Sequence, residues 1–215
     1  MSLKLHYHPL ASYCWKALIA LYENEIDFDR QIVDLSNAEQ RAALTKISPF
    51  TKFPALEDRA SNRVITESTL IIEYLTRGYP GKVALVPSNP EAAFEVRRID
   101  RFFDVYVHDN LQKLVGDKIR PEGTQDPYGV GQARSVIATA YDVLERELGS
   151  QPWAAGDTFS MADCAAAPAL YYANRVAPFG SNHPRVTAYL ERLHARPSFA
   201  RVFEEAQPYL PMFPG

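Results

Sequence analysis

Read for its apolar and polar positions, the chain changes period several times. Leu3 to Tyr7 alternates apolar and polar residues, which predicts a short strand. Pro9, which cannot donate to a ladder, ends it. From Ser12 onward the apolar positions Cys14, Ala17, Leu18 and Leu21 recur at spacings of three and four, so a helix presents one apolar stripe. Ile26 to Val33 alternates again and predicts a second strand. Strand, helix and strand within about 30 residues make a βαβ unit with parallel strands. A short helix is expected from Ser36-Asn37 to Ile47. Phe53–Leu56 and Val64-Ile65 are short strands across the turn Asp58–Asn62, and a helix runs from Glu67 to Arg77.

Two clusters of turn residues follow, Gly78-Tyr79-Pro80-Gly81 and Pro87-Ser88-Asn89-Pro90, and the domain boundary falls between them. Beyond it every pattern is helical. Val96, Ile99, Phe103 and Tyr106 step by three and four, as do Ile137, Tyr141, Leu144 and Leu148. Met161–Val176, Pro184–His194 and a last short helix from Pro197 complete the chain, and the tail PYLPMFPG is expected along the surface. The resulting organisation is an α/β domain of order βαβαββα over 1–78, a linker at 79–89, and an all-helical domain over 90–215.

Composition narrows the function classes. Among 215 residues, hydrophobic side chains make up 47% and charged ones 23%, the balance of a soluble globular protein. A net charge of -3 and no block of like charges argue against nucleic-acid binding and against a membrane-surface face. The start, MSLKLHYHPL, lacks the apolar run of a signal peptide, and no stretch is long enough to span a bilayer. Two cysteines, Cys14 and Cys164, imply no disulfide framework, so a cytoplasmic setting is expected. Cys14 sits on the apolar stripe and reads as a buried small hydrophobe. No Cys-x-x-Cys is present for disulfide exchange. His6 and His8 lack accompanying ligands, so no metal is expected. Gly129-Val130-Gly131 follows no strand and reads as a helix start rather than a dinucleotide loop.

The fragment Ser48-Pro49-Phe50-Thr51-Lys52-Phe53-Pro54-Ala55-Leu56, followed by Ile65-Thr66-Glu67-Ser68 and then Gly156-Asp157-Thr158-Phe159-Ser160-Met161-Ala162-Asp163, resembles the cytosolic glutathione S-transferase family. The resemblance runs along essentially the whole chain. It implies a thioredoxin-like first domain that binds glutathione and a helical second domain that supplies a pocket for an electrophile. Phe53 is then the residue that pairs with the peptide backbone of glutathione, Pro54 a cis-proline, and Lys52 the neighbour of the glycyl carboxylate. Glu67 and Ser68, at a helix N-terminus, grip the γ-glutamyl end. The third fragment is a capping box with Asp163 in place of the usual Glu, and its role is structural.

The thiol-activating group is less plainly written. Serine-type members carry their hydroxyl where this chain has Ala11. Ser12 is therefore the first candidate, Tyr7 at the strand end the second and Tyr13 the third. A plain N-cap is the bland alternative for Ser12. Tyr106 and Asn110, with Phe103, Val107 and Tyr171 or Tyr172, are candidates for the electrophile pocket. The resemblance further implies a homodimer and a detoxifying transferase acting on small hydrophobic electrophiles. The alternatives are a glutathione-dependent isomerase of the same fold, or a binding protein without turnover.

Overall fold

A computed structural model describes residues 2–149 and 151–214. The chain forms two compact units, Met1–Val86 with Ser198–Pro211, and Pro87–Pro197 with Met212–Gly215.

The first unit is built on a four-stranded sheet of order β2-β1-β3-β4, from β1 (Leu3–Tyr7), β2 (Asp29–Ile32), β3 (Ala55–Asp58) and β4 (Arg63–Thr66). The alternation in β1 is realised, with Leu3, Leu5 and Tyr7 all buried. Helix α1 (Ser12–Glu23) crosses over to make β1 and β2 parallel, while β3 runs antiparallel to both β1 and β4.

The second strand is shorter than its alternation predicts, because Ile26 is spent on stopping α1. Its N–H bonds Leu21 O at 2.9 Å, the N–H of Glu25 bonds Tyr22 O at 3.2 Å, and Glu25 takes a left-handed φ of 51°. That is a Schellman stop made without glycine.

Helix α2 (Ala38–Ile47) is capped by Asn37, whose side chain accepts from the N–H groups of Glu39 and Gln40. Helix α3 (Ser68–Gly78) follows β4 directly and packs against α1. Asp58 ties the β3–β4 turn to α3. It accepts from the hydroxyls of Tyr74 at 2.6 Å and Tyr79 at 2.8 Å, and from the N–H of Ala60 at 2.9 Å. Burial works against the ion, yet these donors outweigh it and hold the carboxyl down to about 2.

Asn24 holds the segment that leaves this unit, trading bonds with both main-chain groups of Val83 at 3.1 and 2.8 Å. Gly81 passes so close to Asn24 that a Cβ there would lie 2.3 Å from its side chain.

The sequence reading assigns 90–215 to one helical domain, but Ser198–Pro211 belongs to the first unit. The reason lies in its contacts. In α9 (Pro197–Ala206), Phe199 and Phe203 stand edge-on to the buried Trp15. Glu205 accepts from the Tyr22 hydroxyl at 2.7 Å and pairs with Arg30 at 3.0 Å.

The second unit holds α4 (Pro90–Phe102), a wide π-turn (Phe103–His108), α5 (Asp109–Lys118), α6 (Pro127–Glu147), α7 (Met161–Val176) and α8 (Pro184–His194). α7 is alanine-rich and buried along most of its length, as suits a central helix. Its start carries the expected capping box. The Asp163 carboxylate accepts from the Ser160 N–H at 2.8 Å, the Ala154 N–H at 2.9 Å and the Tyr189 hydroxyl.

Gly129 lies in the first turn of α6, where its N–H bonds Asp126 at 2.9 Å and a Cβ would meet that carboxylate at 2.3 Å. Among the described residues no helix is long and apolar enough to cross a membrane.

Candidate functional site

Strand register gathers the predicted residues of the first unit. Ala55 pairs with Thr66 across β3 and β4, so Phe53-Pro54, just before β3, and Glu67-Ser68, just after β4, lie at the same end of the sheet. His6 pairs with Ala55 across β1 and β3, which brings Tyr7 and His8 to that end as well. The rings of His8 and Phe53 stack with centroids 6.2 Å apart. Both α1 and α3 start from this edge.

The Phe53–Pro54 peptide is cis. Lys52 is exposed, and its N–H bonds the buried Ser48 hydroxyl at 3.3 Å. Glu67 adopts a φ of +67°, a left-handed value costly for a residue with a Cβ. It is exposed, while Ser68 beside it is buried. The N-cap of α3 is Glu67, whose side chain makes no capping bond.

The start of α1 is alike in this respect. Its N-cap is Ala11, which has no hydroxyl, and no side chain caps the helix. Ser12 is therefore not the cap. It is the first helical residue and is buried. A β-turn from His8 to Ala11 leads into it, and the Trp15 indole N–H pins that turn by donating to Pro9 O. By contrast α2, α4, α6 and α7 all begin with capping side chains. Two uncapped helix N-termini at one sheet edge offer partial positive charge to an anion.

Tyr7 is buried, and that burial chiefly raises its phenol pKa, so it remains an O–H donor at neutral pH. Tyr13 is half-buried beside Ser12. Cys14 is wholly buried, which pushes its thiol far above the ordinary range and leaves it inert. Partial burial lowers the pKa of His8, and its Nδ1 accepts from the Leu10 N–H at 3.2 Å.

In the second unit the apolar step predicted through Tyr106 is displaced. Phe103 and Val107 are buried, whereas Tyr106 is 51% exposed, because the wide turn advances the inward face by one residue. The Asn110 amide nitrogen donates to the carbonyls of Val105 and Tyr106, both at 3.1 Å. Its donors thus serve the turn. Tyr171 and Tyr172 are buried and pack edge-on to one another.

A depression of about 250 Å³ between the end of α5 and the start of α6 is lined by Lys113, Asp117, Arg120 and Asp126. It gathers none of the predicted residues. Among the described residues no group of three or more His, Cys, Asp or Glu side chains could hold a metal.

Comparison with known proteins gives the family. Residues 5–83 match the model of the glutathione S-transferase N-terminal domain, and residues 95–192 that of its C-terminal domain. A probable maleylacetoacetate isomerase of Caenorhabditis elegans is 30% identical, covering 92% of this chain and 91% of its own. Glutathione S-transferase 3 of Zea mays is also 30% identical, with 93% and 92% covered. The crystal structure of a glutathione S-transferase from Methylobacillus flagellatus, with GSH bound, superposes with a TM-score of 0.86 at 25% identity, covering 94% of this chain and 98% of that one. With its sheet edge, its paired helix starts and these relatives taken together, the chain belongs to the glutathione S-transferase family.

Proposed function

We propose that this protein is a glutathione S-transferase that conjugates the glutathione thiolate to small hydrophobic electrophiles. The observation that carries the reading is the pair of uncapped helix N-termini, α1 and α3, at the sheet edge that also bears Phe53, Glu67 and Ser68. The start of α3 suits the γ-glutamyl carboxylate, with Ser68 adding a hydroxyl donor and Glu67 facing the α-ammonium. Phe53 offers its main chain to the peptide, and Lys52 answers the glycyl carboxylate.

An ordinary thiol has a pKa of about 8.5, and lowering it to about 6.5 takes roughly 2.7 kcal/mol of preference for the thiolate. A charge-assisted hydrogen bond of about 1.5–3 kcal/mol from Ser12, at the start of α1, supplies most of this. Tyr7, kept as a phenol by burial, is the alternative donor. A cytoplasmic homodimer with a detoxifying role belongs to the same proposal, on the strength of family membership.

Steady-state conjugation of glutathione to a generic aryl halide tests it. The wild type turns over, and Ser12→Ala lowers kcat by about 100-fold, the loss of one donor to a developing anion. Tight glutathione binding without turnover, unchanged by Ser12→Ala and Tyr7→Phe, would favour a binding module; Ala11 in the usual serine position is the feature that points that way.

A second reading is supported by the isomerase from Caenorhabditis elegans. In it the same thiolate adds to a conjugated double bond, the bond rotates, and elimination returns glutathione unchanged. Consumption of glutathione separates the two: conjugation uses it stoichiometrically, while isomerisation does not.

A further inference from the structure

Lys16 in α1 is fully buried, 0% exposed, although a lysine is seldom interior without partners. Its Nζ donates to the Thr69 hydroxyl at 2.7 Å. Thr69 is the second residue of α3, directly after Ser68. On α1, Lys16 is four residues after Ser12 and therefore on the same face, about 6 Å further along the axis. One buried ammonium thus connects the helix that starts at Ser12 to the helix that starts at Ser68. Both helices begin without a side-chain cap.

The first turn of α3 needs an anchor for a local reason. Glu67 is held at a costly φ of +67°, and nothing on its own side chain or on Ser68 caps the helix. Asp58 secures α3 further along, through Tyr74 and at its C-terminal end Tyr79, and does not reach the first turn.

We infer that Lys16 is a positioning residue: it fixes the first turn of α3, so that Ser68 and Glu67 are set to receive the carboxylate and ammonium of glutathione. This deepens the proposed function and rests on it for the ligand. The tether itself is a property of the free protein. Lys16 touches no substrate, so its effect falls on glutathione affinity rather than on chemistry.

The test combines Lys16→Met, Lys16→Arg and Thr69→Val in the full chain. With Lys16→Met, KM for glutathione rises about tenfold or more, as the charged bond to Thr69 is lost, while kcat at saturating glutathione stays within about twofold. Lys16→Arg restores most of the affinity. Thr69→Val, which keeps the shape and removes the hydroxyl that Lys16 bonds, raises KM in the same direction; if Lys16→Met does not fold, this variant decides. Hydrogen exchange at the amides of residues 68–71, measured with no ligand, speeds up in each folded variant except Lys16→Arg. Unchanged exchange there in Thr69→Val, or an unchanged KM, overturns the role of Lys16. A wild type that does not bind glutathione sinks the ligand reading instead, and the exchange data still judge the tether.

Discussion

At the scale of single residues, the proposed chemistry turns on which hydroxyls the backbone leaves at the helix starts. Ala11 occupies the N-cap of α1 and contributes nothing polar, so the proposal gives the thiol-activating task to Ser12 in the first turn, with Tyr7 as the alternative. Ser68 and Glu67 carry the same logic at α3.

Another residue offers a check on the electrostatics far from this chemistry. His183 sits with Nε2 2.9 Å from Asp142 Oδ1 and Nδ1 against Phe179 O. Both partners accept, so only a protonated ring can donate to the two of them at once, and protonation is favoured. Burial opposes that charge, but the Phe179 carbonyl and Asp142 outweigh it and raise the pKa. A pKa raised on folding stabilises fully below the unfolded value of about 6.5 and is lost as pH climbs through the folded value. His183→Gln should therefore lower Tm more at pH 5.5 than at pH 8.5, as read by thermal melts at the two values. An equal loss at both would show that the ring is neutral.

At the scale of elements, periodicity served well wherever the helix was regular. It placed α1, α7 and α8 close to their observed bounds. It failed at Tyr106, since a step of three or four presumes an α-helical turn, and the π-turn at Phe103–His108 rotates the inward face onto Val107 and then Leu111. Asn110, which reads in sequence as a pocket residue, holds two carbonyls of that turn. No local signal announces this, because an asparagine in an amphipathic pattern says nothing about which carbonyls the turn will expose.

The capping box was legible, since Ser160 and Asp163 are three apart and bond locally. Its tertiary partner was not. Tyr189 lies 26 residues away and donates to the same carboxylate. Asp163→Ala removes a buried acceptor shared by Ser160, Ala154 and Tyr189, and should cost about 3 kcal/mol in urea unfolding. A loss below about 1 kcal/mol would mean that the box is replaceable.

At the scale of the whole molecule, the sequence yields two halves and misses the return of the chain's end. Ser198–Pro211 packs with the first unit because Trp15 needs the rings of Phe199 and Phe203, and Arg30 needs Glu205. Such contacts join residues 175 or more positions apart, where neither spacing nor local chemistry gives a hint. Each unit holds one of the chain's two tryptophans, Trp15 and Trp153, so fluorescence of the Trp153→Phe variant reports the first unit alone. In that background Phe199→Ala should destabilise the Trp15 transition by about 3–4 kcal/mol, the cost of emptying a buried aromatic site.

The edge proposed to bind glutathione is written in short, contiguous motifs, Lys52-Phe53-Pro54 and Glu67-Ser68, which strand register brings to one end of the sheet. Lys16 escaped notice, since in sequence it is one more lysine in an amphipathic helix.

The central claim is that this edge of the first unit receives glutathione. Amide chemical shifts followed during a glutathione titration of the ¹⁵N-labelled protein test it most directly. The account predicts saturable shifts centred on Phe53, Ser68, Thr69 and the start of α1 near Ser12, with little change in α8. Shifts that cluster elsewhere, or none at millimolar glutathione, would contradict it.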